Sequence, residues 1–178
     1  MKILNILVFI TIASFQVSAQ ILVEKVKWHT VEEALKLNAT APRKILIDVY
    51  AEWCGPCKKM DAETFAHPVI ARYINKNFYP IKFDAESSAP VSFAGHTFVN
   101  QGKGGVRKST HEFTSALGVN AYPTIVYFTG KLEMIGAVPG FFTAEQIEPL
   151  LHFIVEEKYS SVSFEEYQKT FVGELKKN

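Results

Sequence analysis

A chain of 178 residues with 19 basic and 18 acidic side chains has room for one domain with a sizeable core and is too short for two ordinary ones. Its balanced charge argues against nucleic acid as a partner, because releasing counterions from phosphates takes clustered Lys and Arg. Lys103, Arg107 and Lys108 come nearest to a basic patch and read as a solvated loop. Two cysteines in a single C-x-x-C exclude a disulfide framework, which spreads several pairs along a chain.

Residues 1–19 read as an export signal: Met1-Lys2 is the positive end, 3–15 an apolar run, and Val17-Ser18-Ala19 the small residues before a cut after Ala19. The run is shorter than the roughly 20 residues of a spanning helix, which favours a cleaved signal over a retained anchor. Removing it takes away Lys2 and leaves 18 basic against 18 acidic side chains.

Thr30 caps a predicted helix over 31–38, with Val31, Ala34, Leu35 and Leu37 as its apolar positions. Residues 45–50 form a β-branched apolar run expected of a central strand buried on both faces, in which the single acid, Asp48, stands out. Helical composition over 58–65 is broken at His67-Pro68, and a second helix is expected over about 69–77. A buried strand over 78–84 leads into a segment of different character, 85–110, read as an insertion with a small hairpin about Ala94-Gly95.

A short helix is expected over 111–117, ending near Gly118, then a strand over 124–128 that turns through Thr129-Gly130-Lys131 into a second over 134–138. Thr143 caps an amphipathic helix to about Glu157 with Ile147, Leu150, Leu151, Ile154 and Val155 inward. A last helix over about 163–176 carries Phe164, Tyr167 and Phe171 on one face. This order predicts an α/β domain over 20–178, a central mixed sheet with helices on both faces and a C-terminal extension over 160–178.

The chemistry centres on Cys54 and Cys57. A thiolate is the attacking species in disulfide exchange, and a helix start stabilises it through unpaired N–H groups and the positive end of the helix dipole. Cys54 sits where strand gives way to helix, and two residues later Cys57 falls within bonding reach. Cys54 is therefore expected to attack and Cys57 to resolve, with Pro56 suited to the first turn and Gly55 to the tight entry. Asp48, in its apolar layer, is expected to exchange the proton that Cys57 loses. Lys82 reads equally well as its ionic partner or as an ordinary strand-end lysine.

The run from Leu46 through Trp53-Cys54-Gly55-Pro56-Cys57-Lys58 to Met60 resembles thioredoxin across strand, catalytic turn and helix start. Tyr122-Pro123-Thr124 resembles the cis-proline loop of that family. The likeness runs over about residues 24–157 and implies the thioredoxin fold, here with an inserted hairpin segment and an extra C-terminal helix. It also implies a redox-active Cys54–Cys57 disulfide, a substrate wall at Tyr122 and Pro123, Gly140 on the far side, and Trp53 with Gly55 and Pro56 along the rim.

Some features depart from small thioredoxins. Cys57 and Pro123 lie 66 positions apart, the excess falling in 85–110, and Ala62 replaces a helix proline. With Thr64-Phe65 and Pro68-Val69, this looks more like exported thioredoxin-related proteins and the electron-accepting domain of transmembrane disulfide reductases. The resemblance implies a dithiol reductase of disulfide-containing proteins, periplasmic or extracellular, recharged by a membrane electron donor of that type. The alternatives are an oxidase or isomerase of the same fold, and a binding or assembly module.

No cofactor and no metal is expected. The near phosphate loop over 102–109 has Arg107 where its second Gly must stand. His29, His67, His96, His111 and His152 do not cluster with the cysteines at ligand spacing, and His96, His111 and Glu112 read as surface groups. Phe141 and Phe142, beside Gly140, are expected to be exposed for substrate contact.

Overall fold

A computed structural model describes residues 24–102 and 109–175. The export signal over 1–19 and the basic residues Lys103, Arg107 and Lys108 lie outside the described residues. Four strands form the main sheet: β1 (Lys44–Tyr50), β2 (Phe78–Asp84), β5 (Thr124–Phe128) and β6 (Met134–Pro139), in the order β2-β1-β5-β6. β1 and β2 run parallel, whereas β5 and β6 run antiparallel to their neighbours. The expected mixed sheet is thus the one formed.

β1 is central because both its faces are covered. Ile45, Ile47 and Val49 enter one layer with Val31, Ala34, Phe83 and Phe113. Leu46 enters the other with Met60, Phe65, Ile70, Ile74 and the apolar side of α5 (Ala144–Val155). Alternation along the strand puts Asp48 on the Leu46 side. β2 is an edge strand of this sheet and contains Pro80. Backbone bonds from His29 to Pro80 O and from Lys82 to His29 O cover that edge.

Local chemistry sets the helices. α1 (Val31–Thr40) and α5 each start with a capping box, Thr30 with Glu33 and Thr143 with Gln146. On α1 Leu37, one of the apolar positions, is exposed and Asn38 is buried. Asn38 Nδ2 donates to Gly130 O at 2.8 Å and its Oδ1 accepts from Arg43 N at 2.9 Å, so a satisfied amide holds the helix end to the β5–β6 turn.

α2 (Gly55–Met60) continues into a single wide turn over Asp61–Phe65, closed by Ala66 N on Asp61 O at 3.1 Å. α3 (Pro68–Asn77) then begins under a His67 cap. Between β2 and α4 (Glu112–Ala116) lies a hairpin of β3 (Val91–Phe93) and β4 (His96–Phe98). Its two turn residues, Ala94 and Gly95, both have positive φ, as the right-handed twist of so tight a hairpin demands. Phe93 anchors the hairpin in the core against Phe113 and Phe128, with ring centroids 5.3 and 5.0 Å away.

The last helix, α6 (Phe164–Thr170), is shorter than the sequence pattern suggests. The chain turns extended at Phe171 and passes over Glu148, a buried residue of α5. Glu148 accepts from Glu174 N at 2.6 Å and from Leu175 N at 3.0 Å, which satisfies the carboxylate and ends the helix early. A Cβ on Gly173 would meet this carboxylate at 2.5 Å, so a side chain there would have to push Glu148 aside. Glu148→Ala would strip both amides of their acceptor, and a loss of about 1–3 kcal/mol is expected from the shift in urea midpoint.

Candidate active site

Cys54 occupies the cap position of α2, in extended backbone, and Cys57 lies one turn on. Their sulfurs are joined, with the Cα atoms 5.3 Å apart. Gly55 and Pro56 between them are exposed while both cysteines are buried. The Cys57 amide points at Cys54 Sγ at 3.1 Å. This N–H, free because a first helical turn has no internal acceptor for it, is what would stabilise a thiolate on Cys54.

On the Leu46 side of β1 lies a charged group inside apolar walls. Asp48 is 1 % exposed, and Lys82 Nζ donates to its Oδ2 at 2.5 Å. The parallel register places Lys82 directly beside Asp48, which decides between the two readings of this lysine in favour of the partner. Lys82 Nζ also donates to Asp61 Oδ1, and it lies near the rings of Tyr50, Trp28 and Phe65. Burial pushes the Asp48 carboxyl up to about 6; the charge and hydrogen bond of Lys82 oppose this and the charge of Asp61 adds to it. For Lys82 burial works downward, but Asp48 and Asp61 outweigh it and the ammonium is favoured.

Among the described residues, Asp48 Oδ1 and the Tyr127 hydroxyl are buried polar atoms without a hydrogen-bond partner. Tyr127 stands opposite Leu46 and so shares the Asp48 face. Its hydroxyl is held neutral by burial first and by the nearby Asp48 second.

Across the disulfide, the Tyr122–Pro123 peptide is cis, and Tyr122 packs on the cluster of Ala51, Cys54 and Cys57. Pro123 O accepts from Gly140 N at 2.8 Å, so the proline and the glycine expected on the far side meet directly. Gly140 has φ +112°, a backbone that side chains disfavour. Trp53 is 67 % exposed and stands edge-on to Tyr122 at 5.9 Å. The structure therefore brings Tyr122 onto the cysteine pair, sets Trp53 against Tyr122, leaves Gly55 and Pro56 exposed between the cysteines, and ties Gly140 to Pro123.

Two expectations are corrected. Phe141 and Phe142 are half-buried and pack on the α5 layer instead of facing outward; Phe142 O is bonded by Thr64 Oγ1 at 2.5 Å, and Phe141 lies beneath Lys59. His111 is fully buried, not a surface group: its Nδ1 accepts from Phe113 N at 3.0 Å. Its Nε2 therefore carries the hydrogen and donates to Ala89 O at 3.1 Å. Among the described residues, no three His, Cys, Asp or Glu side chains converge as a metal set.

Three groups escaped the sequence reading. Asp61 follows Cys57 by one helical turn, which is a usable signal, whereas Tyr127 and Glu86 reach the site only through tertiary packing. Glu86 Oε1 accepts from Trp53 Nε1 at 3.0 Å.

The raised carboxyl has a consequence for stability. Folded Asp48 holds its proton up to about pH 6, and the unfolded carboxyl releases it near 3.9. The folded state thus binds more protons in that window, and stability falls as pH rises through it, by about 2–3 kcal/mol. Asp48→Asn is expected to flatten this fall and to be the more stable form above pH 6, read from urea midpoints at pH 4, 6 and 8.

Residues 31–154 match the thioredoxin-like domain family. Over 111 residues the chain is 30% identical to Thioredoxin M2, chloroplastic, of Arabidopsis thaliana, covering 60% of this chain and 45% of that protein. Over 112 residues it is 27% identical to the thiol:disulfide interchange protein DsbD of Pectobacterium atrosepticum, covering 62% and 16%. The chain thus spans less than half the length of either relative. Among solved structures, a thioredoxin from Thermus thermophilus superposes with TM-score 0.53 at 18% identity, covering 72% of this chain and 85% of that one. A thioredoxin-fold protein from Helicobacter pylori does so with TM-score 0.53 at 17% identity, covering 72% and 83%. These two likenesses establish the fold, and the family match, which holds both the strand of Asp48 and the C-x-x-C, establishes descent: the chain belongs to the thioredoxin family, with Cys54–Cys57 as its redox-active disulfide centre.

Proposed function

We propose that this chain is a thiol-disulfide oxidoreductase that works as a dithiol reductase of disulfides in exported proteins. The observation that carries the reading is the Cys57 amide aimed at Cys54 Sγ at 3.1 Å, in a domain whose central strand also holds a buried carboxyl poised near neutrality. The Cys54 thiolate attacks one sulfur of a substrate disulfide, whose S–S bond breaks as the other sulfur leaves as a thiolate and takes a proton. A mixed disulfide then joins Cys54 to the substrate. Cys57 gives its thiol proton to Asp48 and attacks Cys54 Sγ, which closes Cys54–Cys57 and releases the second substrate thiolate. Two electrons have passed from the dithiol to the substrate, and the pair must be reduced again.

A dithiol donor in the membrane, of the transmembrane disulfide reductase type, is the reductant we assign to that last step. The relation to a thiol:disulfide interchange protein supports it. The pattern over residues 1–19 supports export to the periplasm. Trp53, Gly55, Pro56, Tyr122, Pro123 and Gly140 line the groove into which an extended substrate segment fits.

Cys54→Ser is expected to abolish reduction of insulin disulfides. Cys57→Ser is expected to accumulate mixed disulfides, because the attacked sulfur cannot be resolved. Equilibration with glutathione tests the direction: a potential near about −270 mV fits a reductase, whereas one near about −180 mV would make the chain an oxidant or isomerase. Asp48→Asn should slow turnover at pH 7 by about tenfold to a hundredfold and remove the rise of rate with pH around 6, read from pH–rate profiles of both forms.

A further inference from the structure

Trp53 combines exposure with restraint. An indole that is 67 % exposed would ordinarily sample several rotamers, and ordering it costs conformational entropy. Here one edge donates to Glu86 at 3.0 Å and another stands against Tyr122 at 5.9 Å with the planes at 69°. A hydrogen bond to a carboxylate is among the stronger restraints available at a surface.

Glu86 is itself held by the segment that follows β2. Ala85 N donates to Tyr50 O at 2.8 Å, and Glu86 N donates to Asp84 Oδ1 at 3.0 Å. Asn100 Nδ2 clasps the far side, donating to Ser87 O at 2.9 Å and to Ser109 O at 2.7 Å. His111 bonds Ala89 O, so the same segment is also fastened to the start of α4. The backbone that carries the carboxylate is thus anchored, and the indole is the group the carboxylate bonds.

We propose that Glu86 is a positioning residue of the substrate groove. It locks the Trp53 indole so that Trp53, Tyr122 and Pro123 form one preformed wall for an extended polypeptide bearing a disulfide. The proposal rests on the oxidoreductase reading and gives the segment after β2 its part in it: selection of protein disulfides over small ones. A preformed wall spares the substrate complex the ordering of a free tryptophan, so the gain appears in binding and not in the exchange of sulfurs.

The test uses the full chain with insulin as the protein disulfide and hydroxyethyl disulfide as the small one. Glu86→Ala is expected to raise KM for insulin about threefold to tenfold with kcat held, and to leave the small disulfide's rate as it was. Glu86→Gln keeps an acceptor oxygen and is expected to restore KM. The Trp53 indole N–H resonance, assigned by its loss in Trp53→Phe, should move in Glu86→Ala and stay in place in Glu86→Gln. An unchanged KM together with an unchanged indole resonance in Glu86→Ala overturns the proposal, and so does an equal loss with both substrates. If the wild-type chain reduces neither disulfide, the oxidoreductase reading falls, and the indole resonance still decides whether Glu86 orients the ring.

Discussion

A carboxyl group in the middle of a central strand must be neutral, paired or both, and Asp48 meets that demand with a single lysine. Lys82 comes from the neighbouring parallel strand at the same register position, so the pairing is a consequence of how β1 and β2 align. The ammonium is shared with Asp61, which is partly exposed, so the buried acid is linked through one cation to the protein surface. Incomplete compensation is what makes the site chemically useful. A fully paired carboxylate would stay ionised at all moderate pH, and an isolated one would stay protonated. With one oxygen bonded and the other bare, Asp48 sits between these limits.

The same balance costs stability. The fold tolerates an unsatisfied carboxylate oxygen and an unsatisfied tyrosine hydroxyl within one layer, where each uncompensated polar group costs about 1–3 kcal/mol. Continuous apolar packing by Leu46, Met60, Phe65, Ile70, Ile74 and α5 surrounds them. Uncompensated polar groups of this kind, offset by an otherwise regular core, are where functional sites cluster.

Much of this was legible in the sequence because it is local. The apolar run of β1, the Thr30 and Thr143 caps and the turn at Ala94-Gly95 each depend on residues a few positions apart, and each element forms where expected. Asp48 was conspicuous for the same reason. What escaped depends on register or on long-range packing. Lys82 stayed ambiguous until β1 and β2 were aligned, and Asp61 reaches it from the wide turn that follows α2. Phe141 and Phe142 looked exposed by their closeness to Gly140, but the chain turns there onto the α5 layer. Leu37 is exposed and Asn38 buried because an amide at that point can satisfy a nearby and a distant backbone group at once, which no periodicity records.

The two faces of β1 carry different parts of the site. Its Leu46 side holds Asp48; its Ile47 and Val49 side holds the layer into which Phe93 and Val91 of the hairpin are packed. A strand that alternates sides keeps these layers apart along its length, and only beyond its end can they meet. That end is the turn from Tyr50 to Cys54. Tyr50 O takes the amide of Ala85, tying the hairpin segment to β1 at the point where the chain leaves the sheet. Trp53, one residue before Cys54, then bonds Glu86 of that segment. The hairpin segment, packed on the face away from the carboxyl, therefore meets the site at Trp53 and leaves the Asp48–Lys82 pair to the opposite face.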